Sequence, residues 1–248
     1  AVFILGSLAT AVMASAQTYE ITSPDKRTSV TVNLSDRVYY SVVFDNKDII
    51  DPSPIGMTLD RRTHLGRKPE IVDTRTRAVN ESITPALPEK RSVIPDVYNE
   101  LTLNFRGDYS LLVRVYDDGA AYRFITDLDR AVRVMNEQAT FAFSQDDSVY
   151  FPVAQSMLTH FEENYTRTTL GEITSGQLGF LPFLIDRKDG LKVLVTEADL
   201  YDYPGMFVVG SEDKEPVLSG KFAGYPLEEQ QENDRTVSVE KHADYIAE

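Results

Sequence analysis

Two short acidic stretches hold the residues in this sequence best suited to chemistry. The first is His160-Phe161-Glu162-Glu163-Asn164-Tyr165. On an extended chain His160 and Glu162 point to one face, and with Tyr165 they offer a sugar an aromatic surface beside polar groups. The second is Val195-Thr196-Glu197-Ala198-Asp199-Leu200-Tyr201-Asp202-Tyr203-Pro204-Gly205-Met206. Here a hydrophobic strand is expected to deliver Glu197 and Asp199 to one side, ahead of a Pro-Gly turn. Carboxylates at alternate positions are the hard oxygen donors that Ca²⁺ prefers, although the spacing departs from an EF-hand loop. An acidic surface turn fits the second stretch as well as a metal site does, and a solvated strand end fits the first.

Other chemistries find less support. The chain has 248 residues and no cysteine, which removes thiol nucleophiles, disulfides and Cys-bound zinc. His64, His160 and His242 are the three histidines, and none has a second histidine at metal-ligand spacing. There is no G-x-S-x-G elbow, P-loop or dinucleotide fingerprint. Against 25 basic residues stand 39 acidic ones, a net charge of −14. Nucleic acid binding rests on neutralising phosphates, so this balance argues against it, and against anionic membrane surfaces. A neutral sugar is not repelled, and a cation is attracted.

The elements that must position these residues read as strands. Ser29–Leu34 alternates polar and apolar residues. Val38–Phe44 leads through Asp45-Asn46-Lys47-Asp48 to Ile49-Ile50, a hairpin expected to end at Pro52 and Pro54. Leu111–Tyr116 and Ala121–Ile125 flank Asp117-Asp118-Gly119, where Asp-Gly is expected to supply positive φ. Phe183–Ile185 and Leu191–Val195 flank a turn ending in Gly190, and Met206–Val209 adds a strand. No long stretch has helical period. The reading is an all-β fold, one large two-sheet antiparallel β-sandwich with more than the seven strands of a small one. The segments 61–91 and 227–235 read as weakly structured, the first as an excursion from the sandwich and the second as an acidic edge loop.

The run Val2–Met13 followed by Ala14-Ser15-Ala16 resembles the apolar core and cleavage site of a secretory signal, too short to span a bilayer. Residues 1–16 are therefore read as a signal peptide shortened at its N-terminus and 17–248 as the mature domain, exported to the periplasm or beyond, with no membrane span. The sequence stops at Glu248 without a polar tail, and an interrupted chain is expected there.

The stretch Thr196-Glu197-Ala198-Asp199-Leu200 with Tyr203-Pro204-Gly205-Met206 resembles the N-terminal domain of glycoside hydrolase family 97. Val113–Phe124, Tyr98-Asn99-Glu100-Leu101 and Ser23-Pro24-Asp25 fit the same family, so the resemblance spans about Tyr19 to Glu248. It implies a super-sandwich related to the galactose mutarotase fold, followed by a catalytic (β/α)₈ barrel that carries the catalytic carboxylates. It further implies exported α-glucosidase or α-galactosidase activity in the longer chain, an oligosaccharide or α-glycoside as substrate, and no catalytic residue in this segment. An active-site Ca²⁺ is implied as cofactor, held mostly by the barrel, with Glu197 matching the one ligand that the sandwich donates. Glu162, Glu163 and Tyr165 are the candidates for a substrate-facing wall. The other readings are a free-standing carbohydrate-binding sandwich and, last, an aldose-epimerase-like enzyme, which needs an acid and a base across one cleft.

Overall fold

The computed structural model describes residues 17–60, 62–88 and 90–248. The apolar run and cleavage motif read over 1–16 lie outside the described residues. Strands follow in the order β1 (Gln17–Thr22), β2 (Thr28–Leu34), β3 (Val38–Phe44), β4 (Lys47–Leu59), β5 (Thr63–Leu65), β6 (Ile71–Ile83), β7 (Ile94–Phe105), β8 (Tyr109–Tyr116), β9 (Gly119–Thr126) and β10 (Val134–Ala142). They continue as β11 (Ser148–Ala154), β12 (Tyr165–Thr169), β13 (Leu178–Phe180), β14 (Phe183–Asp186), β15 (Lys192–Val195), β16 (Phe207–Val209), β17 (Val217–Lys221), β18 (Pro226–Gln231) and β19 (Val237–His242). Among the described residues the only helical element is a 3₁₀ turn, Leu170–Glu172, and no helix is long and apolar enough to cross a membrane.

A long antiparallel sheet runs β1-β2-β3-β4-β10-β17-β16-β13-β11-β14-β15, with β5 beside β4 and β12 beside β11. A second sheet, β6-β7-β8-β9, lies with β7, β8 and β9 against β1 and β2. The long sheet divides at β11: Ser148–Tyr150 pair with β14, whereas Val153 and Ala154 pair with β13. The expected large two-sheet antiparallel sandwich is met. Strict alternation on β2 and β8 buries Val30, Val32, Leu111 and Val113 between the layers. The apolar cluster they begin continues without a break to Phe141, Phe151, Phe183 and Ile185. A Cβ at Gly179 would stand 2.2 Å from the Phe151 ring, so only glycine lets that ring close the layer.

Local expectations fared unevenly. The hairpin after Phe44 turns on Asp45 and Asn46, both with positive φ (47° and 59°), as a primed turn requires. Pro52 and Pro54 do not end β4, which runs on to Leu59. They are tolerated because the ladder to β10 is irregular there, between Ala139 and Ala142, and the Ser53 hydroxyl accepts the Ala142 N–H instead (2.9 Å). The β8–β9 hairpin forms as read, but Gly119 does not adopt positive φ; it pairs with Tyr116 and the turn falls on Asp117-Asp118. The core of the supposed excursion is β6, thirteen residues with all but Ile71 and Val79 exposed. It is polar because it is an edge strand, and charge there discourages pairing with other chains. The acidic edge segment is likewise largely β18 of an exposed hairpin with β19.

A cleft between the sheets and a tethered glutamate

The loop after β15 is built to close on itself. β15 ends at Val195, two residues before Glu197, so Glu197 and Asp199 are placed by a loop and not by the expected strand alternation. Asp199 and Asp202 adopt positive φ (64° and 51°) and turn the chain back. Short polar side chains make that conformation accessible. The return is fixed by the half-buried Glu197, whose two carboxylate oxygens accept the Met206 N–H at 2.9 and 3.0 Å. Asp199 pairs with Arg123 of β9 at 3.1 Å, both side chains exposed.

Behind this loop stands a second carboxylate. Glu137 of β10 accepts the Tyr203 hydroxyl proton at 2.7 Å, and Tyr203 rests edge-on against Phe222, ring centroids 6.0 Å apart. Burial pushes the Glu137 carboxyl above its ordinary value, and the Tyr203 hydrogen bond offsets only part of this. Burial also raises Glu197; the Met206 amide opposes it and the Glu137 charge adds to it. Tyr203 is itself raised, first by burial and then by Glu137. Among the described residues no arginine or lysine answers either glutamate.

Both glutamates line a cleft of about 1250 Å³, which also takes in Tyr40, Tyr122, Arg123 and Tyr203. Its walls include β9, the last strand of the shorter sheet, and β15, the last of the longer. Glu162, Glu163 and Tyr165 do not line it. Glu162 and Glu163 belong to an exposed loop, in which the Glu162 N–H donates to His160 Nδ1 (3.0 Å) and His160 Nε2 lies 3.9 Å from Glu163, and Tyr165 opens β12. The chain is not extended there, so His160 and Glu162 are not placed as a facing pair. Phe161, with φ 59°, anchors the loop on Phe180 and Phe207, while the Tyr165 hydroxyl donates to the Pro182 carbonyl (3.0 Å).

Glu137 is the residue that sequence reading missed. It shares strand parity with the buried Ala139 and Phe141, and an acid at a core-facing position of a strand is the signal that was available. Among the described residues no three His, Asp or Glu side chains converge as a cation site. Glu197 suits such a site as one hard, half-desolvated ligand, but Ca²⁺ takes six to eight oxygens. The rest would have to come from elsewhere.

The family model described as Glycosyl-hydrolase 97 N-terminal matches residues 21–248. A retaining alpha-galactosidase from Bacteroides thetaiotaomicron is 34% identical over 240 residues, which is 92% of this chain and 36% of that protein. The chain thus spans about a third of the length of that curated relative. Among solved structures, a glycoside hydrolase family 97 enzyme from Pseudoalteromonas sp. strain K8, in complex with acarbose, superposes with a TM-score of 0.72 at 20% identity, over 83% of this chain and 32% of that one. A beta-arabinopyranosidase gives 0.73 at 20% identity, over 88% and 37%. The two structures share the fold.

Proposed function

This chain belongs to the glycosyl hydrolase 97 N-terminal family, and from that premise we propose that it is the sandwich of an exported α-glycoside hydrolase, packed on a downstream catalytic barrel and donating Glu197 to a Ca²⁺ in its active site. The observation that carries the proposal is the tether at Glu197: a half-buried carboxylate, raised by burial, held by a single amide and answered by no cation among the described residues. Such a group is costly unless charge is brought to it, and a dication supplies that charge. When bound, Ca²⁺ orients substrate hydroxyls and offsets the repulsion among gathered carboxylates. The work of this chain is to hold one ligand rigidly, because the Met206 amide and the Tyr203–Glu137 bond fix both arms of the loop.

The name of the curated relative favours an α-galactoside as substrate, with an α-glucoside as the other member of the class. The glycosidic bond is cleaved by two carboxyl groups that we place in the barrel. Export rests on the apolar run and Ala-Ser-Ala motif of residues 1–16. The test is Glu197→Gln in the full-length enzyme, with Ca²⁺ affinity measured by calorimetry and turnover followed against free Ca²⁺. Weaker binding, by roughly tenfold or more, and turnover partly recovered by excess Ca²⁺ are expected. Unchanged affinity and turnover would leave Glu197 a tethered surface acid.

A further inference from the structure

We infer that the slot between β9 and β15 receives one more β-strand of the same polypeptide, joining the end of the shorter sheet to the end of the longer one. The inference stands apart from the calcium reading and starts from hydrogen bonding. Among the described residues β9 pairs only with β8, and β15 only with β14. Each leaves one row of backbone N–H and C=O groups without a strand partner, and both strands line the same cleft. Two open edges bordering one cleft are a strong template for pairing, and folded proteins seldom leave them bare.

The lining suits a strand. One inserted strand needs two inter-strand spacings, roughly 9–10 Å between its neighbours. The contact recorded across the slot is the ion pair of Arg123 on β9 with Asp199 beyond β15, a pairing of one long and one shorter side chain. The slot's floor comes from β3, β4 and β10 and includes Val42, Phe44, Met57 and Phe141. A strand of about five to eight residues with apolar side chains on alternate positions would cover that floor and expose its other face. Near Glu137 and Tyr203 the inward position should be small or polar.

The occupant is taken to be the same polypeptide for two reasons. The curated relative is nearly three times as long as this chain, so a covalently attached strand has a high effective concentration. Residue Ala247 also bridges to Val134 at the start of β10, three residues from Glu137 on the slot's floor.

Residue-resolved hydrogen exchange on the full-length protein tests this, with no variant needed. Along β9 and β15 every second amide points away from the existing partner. If a strand fills the slot, those amides exchange on the order of a hundredfold more slowly than the exposed β18–β19 amides, and as slowly as their neighbours that bond to β8 and β14. Fast exchange at these alternate positions overturns the inference. So does protection that appears only at protein concentrations where the molecule dimerises, which would assign the slot to a second copy.

Discussion

Glu100 and Glu137 are both withdrawn from water inside one sandwich, yet they are treated in opposite ways. Glu100, on β7, is 4% exposed and receives three charge-assisted bonds: Arg77 Nε at 2.5 Å, Arg77 Nη2 at 3.0 Å and Arg114 Nε at 2.8 Å. Arg114 lies over the Tyr98 ring, 4.5 Å from its centroid, and Tyr98 packs on Tyr116. Burial alone would raise Glu100, but the two arginines outweigh it and its carboxyl stays below the ordinary value. Glu137 has one tyrosine hydroxyl, no arginine, and a raised carboxyl. The difference separates a carboxylate whose charge is satisfied within the domain from one whose charge is left over. A satisfied charge pins β6, β7 and β8 together. A left-over charge costs stability, and Glu137 stands behind the loop that carries Glu197.

The sharpest way to break this comparison is Glu100→Ala. It strands Arg114, which is mostly covered, and frees Arg77, which is largely exposed. Removing one partner of a fully buried pair costs about 3–5 kcal/mol. Exposure of Arg77 discounts this, so a loss of about 2–3 kcal/mol is expected in urea unfolding at neutral pH. A loss under about 1 kcal/mol would mean that the network is ornamental and the contrast false.

A smaller effect is expected at the other carboxylate. Tyr203→Phe deletes a hydroxyl bond at a half-buried acceptor, at a cost of about 1–2 kcal/mol. Glu137→Gln keeps an acceptor for that hydroxyl and removes the left-over charge, so stability at neutral pH should change by less than about 1 kcal/mol, toward the stable side. Both are read from urea midpoints. Should Glu137→Gln destabilise as much as Glu100→Ala, the two glutamates are equivalent after all.

How much of this was legible from the sequence depends on where each signal resides. Strands β2, β8 and β9 could be read because their alternation is local, and the turn at Asp45-Asn46 because its chemistry is. β6 was missed because an edge strand exposes most of its side chains, which leaves no alternation to see. The Glu197 motif was found by resemblance, but its geometry was misjudged. A hydrophobic strand is expected to deliver Glu197 and Asp199 directly, whereas β15 stops at Val195 and a bond from the Met206 amide to the Glu197 carboxylate closes the loop instead. Glu137 could not be tied to Glu197 at all, since sixty residues separate them and only sheet topology brings β10 beside the loop after β15.

The smallest effect concerns pH, and it turns the comparison into a titration. Asp189 sits in the β14–β15 turn, where it accepts two bonds from the buried Arg187 at 3.3 Å and pairs with Lys47 at 3.2 Å. Arg187 chiefly holds its carboxyl down at about 2, against an ordinary 3.8. A carboxyl lowered in the folded state adds stability that is present above the ordinary value and lost as pH falls through the lowered one. Asp189→Asn should therefore flatten the decline in stability between pH 3.8 and about 2, and leave the curve above that window parallel to the wild type. Glu137 has the opposite sign. Its raised carboxyl favours the folded state at low pH, and that advantage disappears as pH climbs from its ordinary value of 4.5 through the raised one. Relative to wild type, Glu137→Gln should gain stability over that rise and hold the gain above it. Urea midpoints taken from pH 2 to 8 would resolve the two windows. One window would close toward acid and the other toward neutrality, as expected if only the charge on Asp189 is answered within the domain.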